Sequence, residues 1–146
     1  MDSRREQYIK EFESIFRVFN RRFLREMNQI FGDRLSYSEF LYLKFLDQKG
    51  SQMVSALSEE FSVSVSHITA VMNTLVSEGY VNRVRSEQDR RVVELTITEE
   101  GKRLITELDS VKDVHMRNSF EPLSTEEIAQ LLALYQKLST KNPSQS

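Results

Sequence analysis

Apolar residues recur at three- and four-residue intervals from the start of the chain: Tyr8, Phe12, Ile15, Phe16, Phe19, Phe23, Met27 and Ile30. That period predicts one long amphipathic helix from Arg4 to Ile30, with a wide aromatic stripe and Gly32 as its stop. "LSYSEFLYLKFL" restarts a helix. Ser36 and Glu39 have the spacing of a capping box, Leu35 and Phe40 that of a hydrophobic staple, and Gly50 closes the segment. A short helix over Met53–Phe61 and a tight "SVS" turn follow. The next helix, Ser64 to Glu78, has Ser64 as its cap, Gly79 as its stop and an apolar face of Ile68, Val71, Met72 and Leu75.

The pattern then changes from helical spacing to alternation. Two short strands are predicted near Tyr80–Arg85 and Val92–Ile97, joined by the loop "SEQDR". Thr98 caps a further helix with Glu99 and Glu100 in its first turn, where the helix dipole favours acids, and Leu104, Ile105, Leu108 and Val111 as its stripe. After Pro122, Ser124 and Glu127 repeat the capping box, and Ile128, Leu131, Leu132, Tyr135 and Leu138 form a last stripe. The expected fold is mainly α with a small β-hairpin: a winged helix-turn-helix over about 36–98, flanked by terminal helices over about 4–31 and 99–139. At 146 residues the chain fits one domain. Residues 140–146, "TKNPSQS", read as a disordered tail.

Composition narrows the chemistry. There is no cysteine, which excludes disulfides, thiolate metal sites and thiol redox switches from this chain. No apolar run approaches the length of a membrane helix, and the charged opening "MDSRREQYIK" lacks the apolar core of a signal peptide, so a soluble cytoplasmic protein is expected. The net charge of −2 does not announce a nucleic-acid partner, but its distribution is uneven. Residues 51–98 carry four Arg, no Lys and six acids, and all four arginines fall within Arg83–Arg91. Positive charge in the middle of the chain is a local device.

Two places could carry function, and each has a plainer reading beside it. The helix from Ser64 could be an ordinary amphipathic surface helix, which accounts for its apolar face alone. Its other face, Ser66, Thr69, Ala70 and Asn73, has no long charged side chain, and such small polar groups suit insertion into a major groove. Ser64 and His67 lie in the first turn, where a DNA contact is the better reading of His67. The hairpin could be a solvated turn with local Arg–Asp pairs. As a wing, its tip would follow the phosphates and place Arg91 in the minor groove, with Asp89 holding that guanidinium. Arg83, Arg85 and Arg90 then contact phosphates or brace the wing's base.

These residues carry a family resemblance. "VSVS" at 63–66, "LVSEGYVNR" at 75–83, "DRR" at 89–91 and "LTITEEG" at 95–101 resemble the MarR family of transcription factors, and the flanking helices match its layout over nearly the whole chain. Ser58 stands where that family usually has Ala, and Ser62 where its turn usually has Gly, so either Ser62 takes left-handed or strained backbone or the turn differs slightly. The resemblance implies a homodimeric regulator, most simply a repressor. Its partners would be double-stranded DNA at a pseudo-palindromic operator and a small aromatic effector that releases it. The aromatic stripe supports a dimer independently: five of nine Phe (Phe12, Phe16, Phe19, Phe23, Phe31) lie in or beside the first helix.

The alternative from another class is a dimeric winged-helix adaptor that no longer binds DNA, favoured by the acidic excess over 51–98. An enzyme is the weakest reading, because no nucleophile–base arrangement, phosphate loop or paired carboxylate rises above chance. His67 and His115 are the only histidines and have no ligand partners at metal-site spacing, so neither a metal nor a cofactor is expected, and His115 reads as a surface or interface residue.

Overall fold

The computed structural model describes residues 3–140. The elements are α1 (Ser3–Phe31), α2 (Tyr37–Lys49), α3 (Val54–Phe61), α4 (Val65–Ser77), β1 (Val81–Arg85), β2 (Val93–Ile97), α5 (Glu99–Ser119) and α6 (Thr125–Ser139). Helices with one small hairpin are therefore the architecture, in the order the hydrophobic pattern predicts. Of the expected tail only Thr140 is described, closing α6 with its N–H on the Gln136 carbonyl, and the rest lies outside the described residues. The chain forms two compact units, Met1–Val111 and Lys112–Ser146.

The first unit holds the buried core. Met27 and Phe31 from the end of α1 meet Phe40, Leu43 and Leu46 of α2, and Leu57, Ile68, Met72 and Leu75 of α3 and α4 join the same cluster. Val81, Leu95 and Ile97 of the hairpin and Leu104, Ile105 and Leu108 of α5 complete it. Phe31 and Phe40 pack edge-on at 5.1 Å between ring centroids, and Phe23 meets Tyr37 edge-on at 5.4 Å. The long aromatic stripe of α1 behaves differently along its length. Met27 and Phe31 are buried, whereas Phe12, Ile15 and Phe19 are exposed in the single chain.

Local chemistry sets the boundaries. Ser36 accepts the Glu39 N–H at 3.1 Å while the Glu39 carboxylate accepts the Ser36 N–H at 2.9 Å, a complete capping box. Ser124 and Glu127 do the same for α6 at 3.1 and 2.9 Å. The third helix starts one residue later than its apolar pattern indicates. Gln52 forms an antiparallel bridge with Leu95, its N–H on the Leu95 carbonyl at 3.0 Å and its carbonyl taking the Leu95 N–H at 2.7 Å. That bridge leads into Met53 as an extended N-cap (φ −76°, ψ 157°) with no side-chain cap bond. The strands are likewise one residue shorter at one end each, because the Tyr80 carbonyl accepts the Thr98 N–H at 3.0 Å and the Val92 carbonyl and N–H serve the loop.

The turn between α3 and α4 explains the two serines that depart from the family pattern. Ser62 is left-handed, at φ 53° and ψ 45°, a conformation that strains a residue bearing a Cβ. Ser58 compensates across the turn. Its hydroxyl donates to the Val63 carbonyl at 2.6 Å while its own carbonyl accepts the Val63 N–H at 3.2 Å. An alanine at 58 would lack the first of these bonds.

The entry to α5 is tighter still. Thr98 accepts the Gly101 N–H at 3.0 Å and donates to the Gly79 carbonyl at 2.7 Å. A Cβ on Gly101 would lie 2.5 Å from the Tyr80 carbonyl oxygen and 2.7 Å from Ile97 Cγ1, so only glycine fits. Gly101→Ala is therefore expected to destabilise the fold by about 1–3 kcal/mol, the usual cost of overpacking. Urea unfolding followed by circular dichroism would show it as a lowered midpoint, and an unchanged midpoint would contradict the close approach.

Candidate nucleic-acid interface

Helix α4 is two-sided. Ile68, Met72 and Leu75 are buried and Val71 is half-buried, which fixes the helix's rotation about its axis. The opposite face, Ser66, Thr69, Ala70 and Asn73, is exposed throughout, so the structure brings these four residues together on open helix surface. Ser64 is the N-cap, accepting the His67 N–H at 3.0 Å, and its oxygen lies 3.3 Å from that of Ser66.

His67 is held from behind. Its Nε2 is 3.2 Å from the hydroxyl of Tyr42, a buried α2 residue that also packs edge-on against Phe61 at 4.9 Å. Burial pushes the Tyr42 phenol above its ordinary range, so it keeps its proton at neutral pH. Sequence reasoning missed Tyr42 because inside "LYLKFL" it reads as one more core aromatic. It missed the Gln52 bridge as well, since a single bridging residue has no periodicity to detect.

The hairpin sorts the four arginines into three roles. Strands β1 and β2 pair antiparallel with Val81 opposite Ile97, Arg83 opposite Leu95 and Arg85 opposite Val93. Arg85 turns back on the loop, its Nη1 donating to the Arg90 carbonyl at 2.7 Å, and so braces the wing. Arg91 stands out from the tip with 91% of its side chain exposed. Asp89 grips it with both carboxylate oxygens, Oδ1 to Nε at 3.1 Å and Oδ2 to Nη2 at 3.2 Å, and accepts the Arg91 backbone N–H at 3.1 Å. Arg83 and Arg90 are exposed and, among the described residues, their guanidinium groups have no hydrogen-bond or ion-pair partner. The loop itself is closed by Ser86, whose N–H reaches the Val92 carbonyl at 2.9 Å and whose hydroxyl accepts the Gln88 N–H at 3.2 Å.

Outside this surface, the described residues contain no cluster of His, Asp or Glu able to hold a metal ion, and no helix long and apolar enough to cross a membrane. His115 is half-buried on α5.

Known proteins share this fold. The model of the MarR family matches residues 35–93, which span α2, the α3–α4 pair and most of the hairpin. Over 137 residues the chain is 32% identical to YpoP of Bacillus subtilis, an HTH-type transcriptional regulator, covering 94% of this chain and 97% of that protein. The chain belongs to the MarR family. A MarR family protein from Bacillus stearothermophilus superposes with a TM-score of 0.80 at 26% identity, covering 92% of this chain and 94% of that one. A MarR variant from E. coli, complexed with operator DNA, superposes at 0.78 with 22% identity and coverage of 90% and 95%, a likeness of fold. As a MarR-family protein the chain is a transcriptional regulator of the DNA-binding, winged helix-turn-helix class.

The wing of this MarR-family chain carries a testable electrostatic signature. The Arg91 side-chain and backbone hydrogen bonds hold the Asp89 carboxyl below its usual range. A lowered folded-state value means that the pair is fully formed above the ordinary carboxylate pKa of about 3.9 and is lost only as pH falls through the lower folded value. A carboxyl-carbon NMR titration of Asp89 is expected to give a midpoint below about 3.9, returning toward it in Arg91→Ala. An identical midpoint in the two proteins would mean that the pair does not form in solution.

Proposed function

We propose that the chain is a homodimeric repressor that reads a pseudo-palindromic operator through α4 and the wing. The observation that carries this reading is the pairing of an exposed, charge-free α4 face with a wing tip whose Arg91 is pre-oriented by Asp89. In this reading Ser64, Ser66, His67, Thr69, Ala70 and Asn73 face the major groove. Arg91 enters the minor groove, Arg83 and Arg90 meet phosphates, and Arg85 and Asp89 hold the wing in shape. Control by a small aromatic effector belongs to the same proposal through the family resemblance.

The dimer rests on apolar surface that one chain leaves uncovered. Tyr8, Phe12, Ile15 and Phe19 on α1 are exposed, as are Leu132, Leu134 and Leu138 on α6, which has no buried residue. Exposed apolar stripes on these helices support an interface, and a second copy of the chain is the partner that resemblance supplies. A two-fold dimer would present two α4 helices to half-sites about 34–36 Å apart.

Three outcomes are expected. Arg91→Ala should cost about 1–3 kcal/mol of operator binding with the fold intact. Arg83→Ala and Arg90→Ala should weaken all duplexes alike and lower the salt slope by roughly one unit for each phosphate that is no longer neutralised. Ile15→Glu should weaken the dimer by about 2 kcal/mol, roughly 30-fold, with helix content retained. Gel shifts with genomic fragments at low and physiological salt, and sedimentation velocity, measure these effects. No shift at either salt would favour the adaptor reading that the acidic middle segment raised. Parental binding by Arg91→Ala would make the hairpin a solvated turn.

A further inference from the structure

Tyr42 carries a group that packing does not account for. Its ring sits edge-on to Phe61 at 4.9 Å and to the His67 imidazole at 6.1 Å, and phenylalanine would make both contacts equally well. The hydroxyl is what needs a reason. Tyr42 is only 4% exposed, and among the described residues its hydroxyl has one hydrogen-bond partner, His67 Nε2, at 3.2 Å and 25 positions away in sequence.

The direction of that bond follows from where the protons can go. If Nε2–H donated to the phenol oxygen, the phenol's own proton would be left in the core without an acceptor, and a buried donor is the costlier group to leave unmet. If the phenol donates to Nε2, only oxygen lone pairs go unused. Burial also keeps the phenol protonated at neutral pH, so the proton is there to give. A neutral imidazole that accepts at Nε2 carries its proton on Nδ1. Free histidine prefers the opposite arrangement, so the contact with Tyr42 selects the less populated tautomer.

His67 itself is exposed in the first turn of α4, and its Nδ1 has no hydrogen-bond partner among the described residues. Ser64 fixes the backbone of the same residue by accepting the His67 N–H at 3.0 Å. The side chain is thus held at both ends, with one ring nitrogen engaged inside the protein and the other unengaged. A contact group ordered before binding gives up less freedom when it meets its partner.

We infer that Tyr42 is a positioning residue for DNA binding: it donates to His67 Nε2 and fixes the neutral imidazole as a pre-oriented Nδ1–H donor toward the duplex. The inference rests on the DNA-binding reading and adds a buried residue of α2 to the surface formed by α4. The acceptor is a phosphate oxygen or a base edge, either of which takes an N–H.

The tautomer is read from the imidazole nitrogen shifts in a long-range proton–nitrogen NMR spectrum of the full chain. A pH of about 8.5 suits it, above the ordinary imidazole pKa of about 6.5. His67→Ala identifies the signals, since His115 is the only other histidine. Expected are a protonated Nδ1 and a bare Nε2 in the parent, and a return toward Nε2–H in Tyr42→Phe. Gel shifts at about 50 mM salt then compare a duplex selected by the parent from a random pool with an unselected one, with circular dichroism as the folding control. Tyr42→Phe is expected to lose roughly two- to tenfold in affinity, and nothing further in a His67→Ala background. A loss shared by both duplexes puts the contact on a phosphate, and a loss confined to the selected duplex puts it on a base; either supports the inference. An Nε2–H tautomer in the parent would overturn it, and that measurement needs no variant to fold. Parental affinity in Tyr42→Phe would overturn it too, as would an equal loss with and without the imidazole, which makes Tyr42 a packing residue. If the parent retains no duplex at this salt, the DNA-binding reading falls and the positioning role with it, while the spectrum still decides the direction of the Tyr42–His67 bond.

Discussion

The placing of the hairpin and of α5 turns on one close approach, the backbone of Gly101 against the Tyr80 carbonyl. At that point the end of α4, the start of β1, the end of β2 and the first turn of α5 meet within a few residues. Thr98 fastens the junction through three bonds, to the Gly79 carbonyl, the Tyr80 carbonyl and the Gly101 N–H. A helix that enters with no side chain at its third residue can sit directly on the strand ends. The hairpin then leaves the body at a defined angle, and α4 ends where the hairpin begins. The two functional elements are thus joined at a contact that lies away from both exposed surfaces.

Within that frame the division of labour follows from burial. One face of α4 is pinned by Ile68, Met72 and Leu75, so the other cannot rotate away from solvent. The hairpin is pinned at its base by Val81, Leu95 and Ile97, while its tip depends on hydrogen bonds alone. The body is also held across its helices by two ion pairs at 2.8 Å, half-buried Lys44 with Asp109 and the more exposed Arg34 with Glu107. Pairs of this exposure contribute little individually. They join α2 and the loop before it to α5 in a definite register.

Most element boundaries were legible because they are encoded locally. The capping boxes at Ser36 and Ser124 and the stops at Gly32, Gly50 and Gly79 use residues a few positions apart, and each glycine has positive φ in the structure. The two-sidedness of α4 was legible for the same reason. What the pattern could not show are contacts between residues distant in sequence. The Tyr42–His67 bond spans 25 positions and the Gln52–Leu95 bridge 43, and neither alters a local period. Arg85 is a subtler case. Its role as a brace was one of two open readings, and only the direction in which its side chain turns distinguishes a brace from a free cation.

The grip of Asp89 on Arg91 has a further consequence, for kinetics rather than affinity. A guanidinium that travels with its own carboxylate presents little net charge at distances beyond a Debye length, about 8–10 Å at physiological salt. The Asp89–Arg91 pair therefore adds little to diffusional steering. Its charge is felt only at contact range, where the two partners of the pair become distinguishable. Long-range attraction toward a polyanion then falls to the unpaired cations beside it, such as Arg83 and Arg90. On the proposed DNA-bound reading, encounter and discrimination would be divided between different arginines of the same hairpin.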